Sequence, residues 1–140
     1  MERILLPRTS IRAARKEELW KATCFEFFLA IKDQPPYWEF NLSPSGDWNV
    51  YHMDAYRRIG FREETGIHQL PFEVQQEKMN LSLNAVAELS PLFPLDQVLE
   101  CGITAVIQTI DGLETYWALT HPGPAPDFHL RESFMLELVE

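Results

Sequence analysis

The stretch YWEFNLS, residues 37–43, alternates large apolar side chains with polar ones. Successive side chains of a β-strand point to opposite faces of a sheet, so Trp38, Phe40 and Leu42 would share one face. The polar residues between them, Glu39 and Asn41, would lie on the other face. The pattern therefore predicts a strand with one core face and one face that is solvated or functional.

Alternation with a period of two recurs along the chain, and clusters of proline and glycine separate the alternating runs. Strands are predicted at residues 23–31, 37–43, 81–89, 102–110, 114–121 and 133–139, with weaker ones at 48–56 and 72–79. The dipeptide Asp111-Gly112 predicts a hairpin between two of them. About eight short strands predict an all-β fold, an antiparallel β-sandwich, with a closed barrel as the alternative.

Two further local expectations come from composition and spacing. Residues 12–22 have the composition of a helix. In the last predicted strand, Phe134, Leu136 and Leu138 are two residues apart, so all three are expected to point inward.

The chain has 140 residues, of which 12 are basic and 21 acidic, and its formal net charge is −9. This length supports one domain, predicted at residues 19–140 behind an N-terminal arm at 1–18. The negative charge argues against nucleic acid and anionic membrane surfaces as partners, because both attract basic patches. Residues 1–21 carry six basic and three acidic side chains, so we expect the arm to lie against the acidic body.

No apolar run of the signal-peptide or membrane-spanning kind is found in the sequence. A cytoplasmic location is therefore expected, with Cys24 and Cys101 as reduced thiols.

Three segments resemble the DOMON-like family, which is related to the family 9 carbohydrate-binding modules. They are LWKATCFEFFL at 19–29, YWEFNLSPSGDW at 37–48, and YWALTHP at 116–122 followed by PDFH at 126–129. The second segment is continued by Tyr51, Asp54, Tyr56 and Arg57. The resemblance implies a jelly-roll-like β-sandwich that binds a small ligand, a sugar or haem, without doing chemistry on it.

The resemblance also exposes a difference at the N-terminus. Such families usually begin with further strands, whereas here 18 residues precede the Leu19-Trp20 motif. Either the N-terminal hairpin is missing or residues 3–6 are its remnant. A missing hairpin would leave an edge strand open, and open edges pair with other chains, so a homodimer is expected.

Sugar binding needs aromatic faces for the apolar side of the ring and polar groups for the hydroxyls. The candidate ligand-binding residues are Glu26, Glu39, Asn41, Trp48, Tyr51, Asp54, Arg57, Trp117, His121 and His129, with Tyr116 as a further aromatic candidate. The alternative for Glu39 and Asn41 is a buried polar network that holds loops in place. Trp20 and Trp38 are expected in the core.

Other ligands and activities find less support in the sequence. Haem would need axial ligands, and Met53, Met79, His52, His121 and His129 are available without a fixed pair. A metal could use His121, Asp127 and His129, although histidines that fasten a loop would look the same. Glu26 and Glu39 would mimic a glycosidase pair only if they approached closely. No cofactor, metal or catalytic residue is therefore predicted.

The sequence thus predicts a non-catalytic module that binds a carbohydrate or a sugar-like small molecule. Two alternatives stay open. One is a structural or protein-interaction β-sandwich without a small ligand, and the other is a haem-binding DOMON-type domain.

Overall fold

A computed structural model describes residues 3–139; Met1, Glu2 and Glu140, at the ends of the predicted arm and domain, lie outside them. The strands are β1 Cys24–Ile31, β2 Tyr37–Leu42, β3 Trp48–Met53, β4 Arg62–Glu63, β5 Phe72–Gln76, β6 Leu81–Ala85, β7 Leu99–Gln108, β8 Glu114–Ala118 and β9 Leu136–Leu138. Two short 3₁₀ turns, Leu19–Lys21 and Arg131–Ser133, complete the elements. Among the residues described, no helix is long and apolar enough to cross a membrane.

The strands form two antiparallel sheets. The large sheet has the order β4-β3-β2-β1-β7-β8, and β9 pairs with the start of β7. The small sheet is the hairpin of β5 and β6. The predicted antiparallel β-sandwich is confirmed, and β7 is a central strand, with β1 on one side and β8 and β9 on the other.

The large sheet is covered on both faces. The first face carries Trp38, Phe40 and Leu42, and its core includes Phe72 and Leu83 of the small sheet. The second face carries Glu26, Glu39 and Asn41, and a separate apolar cluster joins Phe28 and Tyr37 to Phe128 and Phe134 from the C-terminal segment. All six residues of β2 are buried. Of the two alternatives predicted for this face of β2, solvated or functional, the solvated one is therefore wrong, because the C-terminal segment returns across the face.

The predicted helix at residues 12–22 does not form beyond Leu19–Lys21. The arm runs beside β3 instead: the Trp48 amide donates to the Ala14 carbonyl at 3.1 Å, and the Lys16 amide donates to the Trp48 carbonyl at 2.9 Å. Tertiary pairing thus satisfies the backbone groups that a helix would have satisfied internally. The side chain of Lys16 also lies 3.1 Å from the carboxylate of Asp47, so the basic arm contacts the acidic body as expected.

The ends of the chain show two further outcomes. Ile4 forms an antiparallel bridge with Thr109, so the start of the described chain pairs with residues just after β7. Phe134 is buried as predicted, but Leu136 and Leu138 are 41% and 42% exposed. The prediction for these two leucines is wrong because β9 is a three-residue edge strand with little packed over it.

Candidate ligand-binding site

A cavity of about 260 Å³ opens on the second face of the large sheet. Its aromatic and apolar walls are Trp20, Val106, Tyr116, Pro126 and Phe128. Its polar groups are Glu26, Glu39, Arg58, Glu114, Asp127 and His129. A volume just below the range of about 300–1,000 Å³ that is usual for drug-sized ligands fits one small ring. We call it the second-face cavity.

Strand register brings the polar floor of the cavity together. Glu26 of β1 lies opposite Asn41 of β2 and opposite Thr104 of β7. Glu39 lies two residues before Asn41 on the same face, so the two glutamates are diagonal neighbours across the pair of strands. The alternation of β1 and β2, together with their antiparallel register, is therefore what places both carboxyl groups beneath the cavity.

The carboxyl groups of Glu26 and Glu39 have few hydrogen-bond partners although they are buried. Glu26 Oε2 lies 3.5 Å from the Thr104 hydroxyl, and Glu39 Oε1 lies 3.3 Å from His129 Nε2. Within residues 3–139, the second oxygen of each has no hydrogen bond. Asn41 is fully buried, and neither atom of its amide has a hydrogen-bond partner within that range. Buried polar groups without partners are uncommon in proteins and require a physical explanation.

Burial and mutual repulsion act on the protonation of these groups. Burial, and then the charge of Glu39, raises the pKa of Glu26 well above its ordinary range. Burial raises the pKa of Glu39 to about 7, although the nearby Asn41 amide and Arg58 oppose the rise. Each carboxyl group therefore tends to keep its proton near neutral pH.

His129 links the cavity wall to β2. Its Nδ1 lies 2.7 Å from the Tyr37 hydroxyl, and its Nε2 faces Glu39. Burial, and then the charge of Arg58, lowers the pKa of His129 to about 4, so the ring is neutral at pH 7. When Tyr37 donates to Nδ1, the Nε2–H faces the Glu39 carboxyl group at 3.3 Å, and the bond to Tyr37 fastens the loop to the sheet.

A strained loop at residues 54–60 brings Arg58 to the cavity. Arg57 and Arg58 have φ values of 65° and 59°, in the left-handed region that non-glycine residues seldom occupy. The loop is closed by a 2.7 Å bond from the Asp54 amide to the Ile59 carbonyl. The Arg58 guanidinium lies over the rings of Trp20 and Phe61, at 5.2 and 4.0 Å from their centroids. Such strain persists where the surroundings enforce it, often at binding sites.

The loop at residues 126–129 forms the facing wall. Asp127 accepts hydrogen bonds from the Tyr56 hydroxyl and from the His129 amide. Phe128 packs edge-on against Tyr116 of β8 at 6.2 Å. The Tyr116 hydroxyl in turn donates to Glu114. Both loops are thereby tied to each other and to the sheet around the cavity.

The structure brings some of the sequence-predicted residues together and separates others. Glu26, Glu39 and His129 line the cavity, and Asn41, directly opposite Glu26, lies on the same face outside the lining. His121 lies nearby at the outer side of Phe128, whose ring it stacks against at 6.2 Å. Glu39 faces the loop residue His129 at 3.3 Å, and within residues 3–139 the Asn41 amide has no hydrogen-bond partner.

The remaining predicted residues lie outside the cavity lining. Tyr51 is buried behind Trp20, with ring centroids 5.7 Å apart. Asp54 and Arg57 belong to the strained loop, where Asp54 pairs with Arg62 at 3.2 Å.

The two tryptophans chosen as sugar platforms lie on the first face. Trp48 is paired with Leu42, is 7% exposed and packs beneath the guanidinium of Arg15. Trp117 is paired with Ala105 on the same first face and is 62% exposed. Neither ring reaches the second-face cavity.

Several lining residues were not among the candidates. Trp20 was expected in the core, Asp127 was considered only for a metal, and Arg58 and Glu114 were not considered. Arg58 gave no local signal, because a non-glycine left-handed conformation cannot be seen in a sequence. Across residues 3–139, no three histidine, cysteine, aspartate or glutamate side chains are grouped as a metal would need.

Comparison with known proteins supports the architecture. No protein-family model matches the chain, and no curated protein matches it either. Among solved structures, a "putative carbohydrate-binding protein" from Bacteroides uniformis matches with a TM-score of 0.62 at 14% identity. The likeness shows the fold. The match covers 91% of this chain and 66% of the other, so this chain spans less than two thirds of that protein's length.

Proposed function

We propose that this protein binds a small sugar-like molecule in the second-face cavity and leaves it unchanged. The observation that carries the proposal is the pairing of aromatic walls, Trp20 and Tyr116, with the underpartnered carboxyl groups of Glu26 and Glu39. Aromatic faces and oriented polar groups are what a sugar ring requires. The carbohydrate-binding name of the structural neighbour agrees with it.

The aromatic and the polar side chains of the cavity would contact different parts of the sugar. The apolar side of the ring would stack on Tyr116 or Trp20, and its hydroxyls would donate to the free carboxyl oxygens of Glu26 and Glu39. Arg58, at the mouth, would donate to a ring or hydroxyl oxygen. A single ring buries little apolar area, so we expect a dissociation constant on the order of micromolar to millimolar.

Two observations favour binding over chemistry. The imidazole of His129 is bonded to Tyr37 through Nδ1, and its Nε2 lies 3.3 Å from Glu39. The Cys24 thiol is fully buried, and burial, followed by the nearby charge of Glu26, raises its pKa well above the ordinary value. Nucleophilic cysteines need the opposite shift, because the thiolate is the reactive form.

Isothermal titration calorimetry against a panel of mono- and disaccharides tests the proposal. We expect at least one saccharide to bind the wild-type protein, and Tyr116→Ala to weaken it about three- to tenfold by removing the stacking face. Trp117→Ala is the matched control, because Trp117 is the next residue of β8 and faces the other way. Equal effects of the two substitutions, or no binding by any saccharide, would contradict the proposal.

A second candidate function rests on the free edge of β8. Within the described chain, β8 pairs only with β7, and an apolar groove of about 400 Å³ lies beside it on the first face. Ile107, Leu113 and Trp117 line this groove. We also propose that a second copy of the chain pairs with this edge, since open edges are templates for further strands.

Size-exclusion chromatography coupled to light scattering tests this second candidate by measuring the mass of the protein in solution. A homodimer would have twice the 16.3 kDa mass of the chain. Trp117→Lys would return it to the monomer by placing a charge in the groove. A monomeric mass for the concentrated wild-type protein would rule out the homodimer.

A further inference from the structure

More acidic than basic side chains line the second-face cavity. Four carboxyl groups line it, from Glu26, Glu39, Glu114 and Asp127, against one guanidinium, that of Arg58. His129 adds no charge at neutral pH, since its pKa is lowered to about 4 by burial and by Arg58. Any ligand there is therefore surrounded by an excess of acidic groups.

The outer two acids have partners inside the protein. Glu114 accepts from the Tyr116 hydroxyl and from the Gln108 amide, and Asp127 accepts from Tyr56 and from a backbone amide. Both carboxyl groups therefore already accept hydrogen bonds from donors within the protein.

The inner two acids have no cation in direct contact. Glu26 and Glu39 are 5% and 3% exposed, and within residues 3–139 neither lies within 4 Å of a lysine or arginine nitrogen. Arg58 is turned instead toward the aromatic rings of Trp20 and Phe61. Beside them, the fully buried Asn41 has an unbonded amide oxygen. Buried carboxyl groups of this kind are stabilised by pairing with a cation or by staying protonated.

We propose that the ligand of this cavity carries a protonated primary amine on a small hydroxylated ring, as an amino sugar does. This inference rests on the proposed sugar-binding function and specifies its ligand class. The ammonium donates its N–H groups to the carboxyl oxygens of Glu26 and Glu39, which line the cavity, while the ring stacks on Tyr116. An ammonium is also attracted to the faces of the aromatic walls.

Binding of such a cation is linked to proton release. The carboxyl groups hold protons because they are buried and close together, and the ammonium would take the place of those protons. The other titratable groups facing the pair are Cys24, Tyr37, Tyr51, Arg58, Glu114, Tyr116, Asp127 and His129. Among them Arg58 opposes the cation, but it lies at the mouth, against aromatic rings.

Three sugars that differ at one ring position test the inference by calorimetry at slightly acidic pH, where the amine is protonated. The probes are glucosamine, glucose and N-acetylglucosamine, which carry an ammonium, a hydroxyl and a neutral amide at one ring position. We expect glucosamine to bind about tenfold more tightly than the other two, because charge-assisted hydrogen bonds exceed neutral ones by about that factor. Titration in two buffers of different ionisation enthalpy should show protons released on binding.

Substitutions locate the effect. Glu26→Gln keeps the shape of the side chain and relieves like-charge repulsion, so the protein should stay folded while the preference for glucosamine is lost. Glu73→Gln, on the exposed side of β5, is the matched control and should keep the preference. Equal binding of glucose and glucosamine would overturn the cation inference and leave the sugar site standing. Failure of all three sugars together with the wider saccharide panel would overturn both.

Discussion

Glu39 is the residue on which the stability of the site depends most directly. Its carboxyl group is buried between Glu26 and His129, and burial raises its pKa from the ordinary 4.5 to about 7. Between these pH values the folded protein holds more protons than the unfolded chain at this group. The contribution of Glu39 to the free energy of unfolding therefore falls as the pH rises from about 4.5 to 7.

We expect Glu39→Gln to remove this pH dependence. The amide keeps an acceptor for His129 and carries no charge. The free energy of unfolding of the variant, relative to that of wild type, should therefore rise by about 1–3 kcal/mol between about pH 5 and pH 8. Urea unfolding at the two pH values measures the difference. His129, whose pKa is lowered to about 4, contributes the opposite slope at about pH 4–6.5, and the variant retains this histidine. A constant difference between variant and wild type would contradict the assignment.

At the scale of elements, the loop at residues 54–60 is the part of the site that the protein holds under strain. Gly60 has a φ of +71°, and a Cβ there would lie 2.0 Å from Asp54 Oδ2. Asp54 in turn closes the loop on Ile59 and pairs with Arg62. The glycine is therefore required twice, for its backbone conformation and for the space beside Asp54.

Gly60→Ala should destabilise the protein and displace Arg58 from the cavity. Gly112→Ala is the control, because Gly112 has a φ of +90° with open space around it. The control should lower the free energy of unfolding by only about 1–2 kcal/mol, the cost of the left-handed conformation. Gly60→Ala should lower it further because of the added clash. Thermal unfolding compares the two variants. Equal losses of stability in the two variants would mean that Asp54 leaves room for a Cβ at position 60.

The elements also show which parts of the fold local patterns can specify. Alternation placed Glu26 and Glu39 on defined strand faces, and the register of β1 and β2 then made them neighbours. Residues 12–22 were wrongly predicted to be helical, because the backbone of residues 14–16 pairs with Trp48, more than 30 residues away. A composition-based prediction has no access to such a partner.

At the scale of the whole molecule, the site depends on segments that approach from distant parts of the sequence. The two faces of the large sheet divide the four tryptophans, with Trp20 at the cavity and the other three on the first face. The alternation of the strands fixes the face of Trp38, Trp48 and Trp117 once the register is known. Trp20 precedes β1 and Arg58 lies in a loop, so their convergence follows only from the complete fold.

The division of the tryptophans allows the central claim, sugar binding in the second-face cavity, to be tested in one spectrum. The four indole N–H signals are followed by two-dimensional ¹H–¹⁵N NMR while glucosamine or another saccharide is added. We predict that the Trp20 signal moves in a saturable way while those of Trp38, Trp48 and Trp117 stay in place. Movement of the Trp117 signal alone, or no movement of any signal at millimolar saccharide, would contradict the claim.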